Sequence, residues 1–121
     1  MYLFKIGLVV LLFGGLTSCA EFIEYPLEEE QVALVAPMNN LETTDSVIAF
    51  WWEHHEDAKY YRFQLVSPNF EEIRAALIDS LTYDNKIELI LKPGKYSWRV
   101  RPENDGSAGQ YQYRELEIVA E

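Results

Sequence analysis

The densest group of residues that could do chemistry is Glu53-His54-His55-Glu56-Asp57, in which both histidines of the chain lie among three acids. Imidazole and carboxylate side chains are common zinc ligands, and they also serve as general acids and bases. A metal site needs ligands that converge on one point, and this spacing matches no zinc or EF-hand pattern. We therefore interpret the cluster as a solvated charged loop, with a metal site at His54 and His55 as the alternative.

Other catalytic patterns are missing from the sequence. It contains no nucleophile motif of a hydrolase and no glycine-rich phosphate loop. The single cysteine, Cys19, excludes an intramolecular disulfide and a cysteine-rich metal site. A formal net charge of −10 disfavours binding to nucleic acid, whose phosphates would repel the chain. The sequence therefore predicts a protein that is not an enzyme, carries no cofactor and binds no nucleic acid.

Cys19 stands at the end of an amino-terminal targeting signal. After Lys5, residues 6–16 form a run of eleven apolar or glycine residues. A membrane-spanning helix needs about 20 such residues, so this run is typical of a signal peptide. Leu16-Thr17-Ser18-Cys19 resembles the bacterial lipobox. The resemblance implies that residues 1–18 are removed, that the Cys19 thiol takes up diacylglycerol, and that a lipid anchor on Cys19 makes the membrane a partner.

Residues 19–31 are predicted to be an acidic tether, because Pro26 and several glutamates interrupt any regular element. Twelve extended residues span at most about 40 Å. Ala20, in place of an aspartate, is compatible with sorting to the outer membrane. The early acids resemble the surface-export signals of Bacteroidetes lipoproteins, and a plain solvated spacer is the alternative. We expect a lipid-anchored location in the cell envelope at the outer membrane, with the periplasmic and surface-exposed faces both open.

Residues 32–121 alternate between apolar and polar side chains in short stretches separated by turn residues. The predicted inward-facing sets are Ile48, Phe50 and Trp52; Tyr61, Phe63 and Leu65; Ile87, Leu89 and Leu91; and Tyr96, Trp98 and Val100. The segment 73–80 fits either a helical turn or an edge strand. The last strand, 110–119, changes its apolar phase after Tyr113, which predicts a bulge. About seven short strands predict an all-β, immunoglobulin-like antiparallel β-sandwich.

One stretch indicates a particular kind of sandwich. Leu91 and the Pro93-Gly94 turn lead to Tyr96, and the segment continues through Trp98 to Gly106. This arrangement resembles the turn and following strand of a fibronectin type III domain. The resemblance covers residues 32–121 and implies a tyrosine corner, in which the Tyr96 hydroxyl bonds back to the turn.

Two groups of outward side chains are candidates for binding. Alternation predicts that Arg62, Gln64, Arg99 and Arg101 point outward from neighbouring strands, with Arg114 nearby, as a docking face for an acidic partner. The alternative is cross-strand pairing of these arginines with Glu115, Glu117 and the acids of the adjoining strand. Trp51 and Tyr60 are also predicted to point outward, where they could stack on a sugar or a partner. Coverage of Trp51 by the tether or an edge strand is the alternative.

The chain as a whole resembles Bacteroidetes-type envelope lipoproteins that carry a fibronectin type III-like domain. Such proteins are often accessory to glycan-uptake or secretion complexes. The resemblance implies a non-catalytic interaction and assembly module of an outer-membrane complex, with a protein partner in the envelope. The alternative is a small surface lipoprotein that binds glycans through its exposed aromatic residues.

Overall fold

Alternating side chains along the sequence form β-strands in the computed structural model, which describes residues 24–121. The described residues contain eight strands, which are β1 (Leu34–Ala36), β2 (Leu41–Thr43), β3 (Val47–Trp52), β4 (Tyr60–Pro68), β5 (Ile73–Thr82), β6 (Lys86–Ile90), β7 (Gly94–Glu103) and β8 (Gln112–Ile118). Within this range there is no helix of the length and apolar character that crossing a bilayer requires.

The strands form two sheets that pack face to face as a sandwich. One sheet has the order β1-β3-β6 and the other has the order β2-β8-β7-β4-β5. Neighbouring strands are antiparallel except β2, which runs parallel to β8. The expected count of about seven becomes eight because the first segment changes sheet. β1 pairs with β3 in one sheet, and β2 pairs with β8 in the other. Pro37, which has no backbone N–H to donate to a neighbouring strand, follows β1 and begins this change of sheet.

The core lies between the sheets and is rich in aromatic rings. Phe50, Phe63 and Trp98 are fully buried. The ring centroid of Phe50 lies 5.3 Å from that of Phe63 and 5.1 Å from that of Trp98, in edge-to-face geometry. Such pairs stabilise a core beyond the burial of their area. The predicted inward faces of β3, β4 and β7 are therefore confirmed, and these strands give the outward side chains a rigid base.

The tyrosine corner is also present. The Tyr96 hydroxyl donates a hydrogen bond of 2.6 Å to the carbonyl oxygen of Lys92. The Tyr96 ring packs over the turn, as the space at Gly94 shows: a Cβ placed there would lie 3.6 Å from the tyrosine oxygen. The bond ties the start of β7 to the turn that precedes it.

Substituting Tyr96→Phe is expected to lower the free energy of unfolding by about 1–2 kcal/mol, because the Lys92 carbonyl loses its donor in a part-buried site. Urea denaturation of the purified full-length protein measures the change. Tyr113→Phe is the matched control, since Tyr113 is 68% exposed, and it should leave the unfolding midpoint unchanged. Equal losses in both variants would contradict a special role for the corner.

Two ambiguous or incorrect strand predictions are resolved by the pairing. The segment 73–80 is an edge strand and not a helical turn, since it lies within β5 and pairs only with β4. The bulge predicted in the last strand is wrong, because β8 pairs with β7 without a shift from Gly94↔Ile118 to Val100↔Gln112. Tyr113 is opposite Arg99 and is exposed. The apolar pattern of β8 changes phase because the aromatic Tyr113 faces outward, and not because the strand contains the extra residue of a bulge.

The residues before β1 pack on the sandwich, although they form no strand or helix. We call residues 24–31 the N-terminal strap. Leu27 is fully buried, and its N–H donates to the Ser107 hydroxyl over 2.9 Å. The N–H of Gln110 donates to the Glu30 carbonyl over 2.7 Å. The strap approaches the chain so closely that a Cβ on Gly109 would lie 2.5 Å from the Glu30 oxygen. The described part of the predicted tether is therefore bound to the domain.

The beginning of the strap is held by charge. The Lys59 ammonium lies 2.5 Å from a Glu24 carboxylate oxygen and 2.7 Å from an Asp105 oxygen. These two partners, Asp105 first, raise the pKa of Lys59, and the same ammonium lowers the pKa of Asp105. The N–H of Gly106 donates to the other Glu24 oxygen over 3.0 Å. Glu24 is thus fixed beside the β7–β8 loop.

Candidate functional site

The outward face of the five-stranded sheet brings together four of the predicted docking residues. Antiparallel pairing places Arg62 of β4 opposite Arg101 of β7, and Gln64 opposite Arg99. Opposite residues share a face, so these four side chains lie side by side above the sheet. Their inward neighbours are the buried core residues of β4 and β7, which hold the backbone in place.

Two of these arginines are already neutralised within the domain. Arg62 lies 2.9 Å from Asp79 and 3.1 Å from Glu103, and Arg101 lies 2.8 Å from Glu103. The hydrogen bond to Asp79 raises the pKa of Arg62, while hydrogen bonds from Gln64 and Arg62 lower the pKa of Asp79. Arg62 therefore pairs across strands, with Asp79 of β5 and Glu103 of β7, whereas Arg101 pairs with Glu103 along its own strand. Among the described residues, neither Glu115 nor Glu117 forms an ion pair with these arginines.

Arg99 differs from its neighbours because it has no ion pair among the described residues. Its Nε–H donates to the Gln64 side-chain oxygen over 2.7 Å. Its guanidinium carbon lies 4.1 Å from the Phe70 ring centroid and 4.2 Å from the Tyr111 ring centroid. The guanidinium of Arg101 also lies over Tyr111, at 4.6 Å. Contacts of this kind are attractive because the ring face is electronegative. Arg99 is therefore held by aromatic rings in place of acids.

A small cavity of about 280 Å³ adjoins Arg99, and we call it the Arg99 cavity. It is lined by Asn69, Phe70, Glu71, Ser97, Arg99, Tyr113 and Glu115. Tyr113 lies on β8 opposite Arg99 and is the most exposed aromatic residue of this wall. The cavity therefore brings together the Arg99 cation, aromatic surface, and the carboxylates of Glu71 and Glu115. Polar and charged groups form most of the lining, and Phe70 and Tyr113 supply its aromatic surface.

Two other cavities, of about 410 and 420 Å³, have acidic borders. The first is lined in part by Glu42 and Glu117 of the paired strands β2 and β8. The second lies between the N-terminal strap and the loop after β7, beside Glu24 and Asp105. Glu24 and Asp105 of this second cavity already contact Lys59. We take the smaller Arg99 cavity as the candidate site, because it alone of the three includes Arg99 with its unpaired guanidinium.

The prediction that Arg114 joins the docking face is wrong. Arg114 is opposite Trp98, so it belongs to the inward side of β8. Its guanidinium donates to the carbonyl oxygens of Leu34 over 2.8 Å, Pro37 over 2.9 Å and Val35 over 3.2 Å. The side chain therefore reaches to β1 and links the two sheets. Alternation along the strand puts residues 112, 114 and 116 on the face away from Arg99.

The two aromatic residues proposed for sugar stacking lie on different sheets. Trp51 is 46% exposed on β3, where it lies opposite Lys86 of β6. Tyr60 begins β4, where its hydroxyl lies 3.3 Å from Asp105 and its ring meets the edge of Tyr83. Trp51 thus stays exposed, and it does not form a common platform with Tyr60.

The histidine cluster forms part of the β3–β4 loop. The backbone N–H of His55 donates to the Tyr61 hydroxyl over 2.8 Å, and this hydroxyl lies 3.0 Å from the His54 Nδ1. The His55 Nε2 lies 3.5 Å from a Glu30 oxygen of the strap, while its Nδ1 accepts the N–H of Asp57. Within residues 24–121, no three His, Cys, Asp or Glu side chains are arranged to hold a metal ion. The geometry describes loop packing against Tyr61 and the strap.

The predicted signal peptide, residues 1–18, and the predicted lipidation site, Cys19, lie outside the described residues. Their role therefore stays a prediction from the sequence.

Comparison with known proteins agrees with the two-sheet topology. No protein-family model matches the chain, and no curated protein matches it. The crystal structure of FN3tt is similar, with a TM-score of 0.54 and 17% identity over 82% of this chain and 100% of that one. A mutant of FN3tt has a TM-score of 0.50 and 20% identity over 74% of this chain and 92% of that one.

A third similar structure is the fibronectin type III domain of human fibronectin type III domain containing protein 3. Its TM-score is 0.45, with 9% identity over 81% of this chain and 93% of that one. The predicted fold class is confirmed by the strand order, by the tyrosine corner and by the similarity to FN3tt. Residues 24–121 form an all-β, immunoglobulin-like sandwich whose fold is similar to that of fibronectin type III domains.

Proposed function

We propose that this chain is a lipid-anchored, non-catalytic protein of the cell envelope that acts as an interaction module in an outer-membrane complex. Cys19 would carry the anchor, and the outward face of the five-stranded sheet around Arg99 would bind a protein partner. The observation that carries the binding face is the unpaired Arg99 guanidinium held between Phe70 and Tyr111 beside an exposed Tyr113.

Residue types on this face support the proposal. Arginine and tyrosine are enriched among the residues that contribute most to protein–protein binding. Arg99 and Tyr113 are opposite each other on paired strands, so one partner can contact both. The positive charges of Arg62 and Arg101 are balanced by the carboxylates of Asp79 and Glu103, and these side chains form a polar border. This arrangement of anchor residues inside a polar rim is that of many binding interfaces.

The glycan-binding alternative has less support from the geometry. Stacking of one sugar chain on both Trp51 and Tyr60 needs a shared surface, and these residues lie on different sheets. Trp51 lies opposite Lys86 of β6, so it offers a sugar one stacking face beside a charged side chain, without a second aromatic ring from Tyr60. Catalysis is also not part of the proposal, since the histidine cluster forms an open loop.

Site-specific cross-linking in intact cells tests the proposed face. A photo-reactive phenylalanine analogue at Tyr113 is expected to give one discrete cross-linked species with an envelope protein. The same analogue at Ile90, which is 81% exposed on the other sheet, should give none. Arg99→Glu is expected to reduce the Tyr113 cross-link at least about tenfold, because a central anchor residue is replaced by one of opposite charge.

Lys86→Glu is the matched control for this experiment. It makes the same type of charge reversal on β6, which belongs to the opposite sheet. The Tyr113 cross-link should survive Lys86→Glu unchanged. Absence of any cross-link at Tyr113, or equal cross-linking from both faces, would refute this assignment of the binding surface.

A further inference from the structure

The Arg99 side chain has hydrogen-bonding capacity that the domain does not use. A guanidinium carries five N–H groups in one plane. The Nε–H of Arg99 donates to Gln64, and the N–H groups of its two terminal nitrogens have no acceptor among the described residues. Those two nitrogens form the edge of the guanidinium that matches the two oxygens of a carboxylate.

The orientation of this edge is fixed before any ligand arrives. Phe70 and Tyr111 hold the guanidinium plane at 4.1 and 4.2 Å from their ring centroids, and Gln64 fixes its Nε side. A flexible surface arginine loses rotamer entropy when it binds an anion, whereas a side chain already held in place loses less. The aromatic rings also lie against the guanidinium, and a charged hydrogen bond is stronger where apolar groups replace water around it.

The cavity also restricts what kind of anion can enter. Glu71 and Glu115 line the cavity. Among the described residues, neither carboxylate forms an ion pair with Arg99. These two carboxylates repel a ligand that carries several negative charges, such as an acidic polymer. They favour a ligand in which a basic group stands beside the carboxylate. Phe70 and Tyr113 add apolar surface for the carbon chain between the two groups.

We propose that the Arg99 cavity is a carboxylate-binding site for a peptide segment in which a basic residue adjoins an acidic one. Arg99 receives the carboxylate through its two terminal nitrogens, and Glu71 and Glu115 receive the basic side chain. This site deepens the proposed function, and it rests on that function only in assigning the peptide to the protein partner.

Titration with capped dipeptides tests the site. The probe is acetyl-Glu-Lys-amide, and the control is acetyl-Gln-Lys-amide, which keeps the lysine ammonium but lacks the carboxylate. NMR of the ¹⁵N-labelled full-length protein in detergent is expected to show saturable shifts of the Arg99 Nε–H and of the Phe70 and Tyr113 amides with the first probe. The second probe should bind at least about tenfold more weakly, because it lacks the anion that pairs with the guanidinium.

Substitution of Arg99 supplies the matched comparison. Arg99→Lys keeps the charge but loses the planar fork, and we expect at least about tenfold weaker binding of acetyl-Glu-Lys-amide. Lys86→Glu should leave the titration unchanged. Equal shifts with both dipeptides, or unchanged binding in Arg99→Lys, would overturn the carboxylate assignment. Binding of glucuronate in place of either dipeptide would overturn the peptide assignment and point to an acidic sugar.

The two proposals fail in different ways. If the Tyr113 cross-link forms but neither dipeptide shifts the Arg99 signals, the interaction face stands and the carboxylate site is refuted. If acetyl-Glu-Lys-amide binds but no cross-link forms at Tyr113, the site stands and its assignment to an envelope protein partner is refuted.

Discussion

Leu27→Ala is expected to lower the free energy of unfolding by about 2–5 kcal/mol, the range for a leucine removed from a well-packed core. Leu27 is fully buried although it lies among the glutamates of the N-terminal strap. Its backbone N–H also bonds Ser107, so a loosened side chain weakens the hydrogen bonds of the strap. A loss of this size is a large fraction of the stability of a domain of this length.

Urea denaturation of the full-length protein measures this effect, and the chain offers a matched control. Leu81→Ala removes the same atoms from β5, where the side chain is 49% exposed, and should change stability by about 0.5 kcal/mol or less. Hydrogen exchange adds a local readout, because Gln110 donates its N–H to the strap and should exchange faster in Leu27→Ala. If Leu27→Ala and Leu81→Ala behave alike, the strap is not part of the folded unit.

Cys19→Ser is expected to move the protein from the membrane fraction to the soluble fraction almost completely. A serine hydroxyl cannot form the thioether to diacylglycerol that the lipobox resemblance implies. Each buried CH₂ of a lipid chain contributes about 0.8 kcal/mol of membrane affinity, so loss of two or three chains removes the anchor. The described residues contain no helix that could replace it.

Detergent phase partition together with labelling by radioactive palmitate measures this change. The wild type should be labelled and enter the detergent phase, and Cys19→Ser should do neither. Thr17→Ser keeps a small residue before the cysteine and serves as the control, with wild-type labelling expected. A Cys19→Ser protein that still fractionates with membranes and retains full activity would contradict the lipid-anchor prediction.

Sequence alternation was sufficient for the interior of the fold because a strand with one buried face must place its apolar residues two apart. This rule places Phe50, Phe63 and Trp98 on the inward faces of their strands, and all three are fully buried. It could not identify β2, because Leu41–Thr43 is a three-residue strand with one apolar side chain. Such a short pattern does not differ from that of a turn.

The N-terminal strap was missed for a similar reason. A single leucine among acids has no periodicity, and its burial depends on a pocket formed by residues that are about 80 positions away in the chain. The signal that remains in the sequence is Gly109, whose lack of a side chain permits the close approach of the Glu30 carbonyl. Single glycines are common in loops of every kind, so this one does not predict a strap.

The sequence predicts the outward face that carries the candidate site, but not that Arg99 is its unpaired arginine. Alternation placed Arg62, Arg99 and Arg101 on one outward face, and the strand pairing agrees. Which arginine keeps a free edge depends on Asp79 and Glu103, and these acids reach Arg62 from 17 and 41 residues away. The aromatic contacts of Arg99 come from loop residues whose positions only the tertiary structure fixes.

If Cys19 carries the predicted lipid anchor, the N-terminal strap limits how far the domain can move from that anchor. Glu24 is fixed to the domain, so the chain from Cys19 to Glu24 is only five residue steps long. Five extended residues span at most about 18 Å, against about 40 Å for the twelve residues of an unbound tether. The accessible volume scales with the cube of this radius, so the strap reduces it about tenfold. The local concentration of the domain at the bilayer surface rises in proportion.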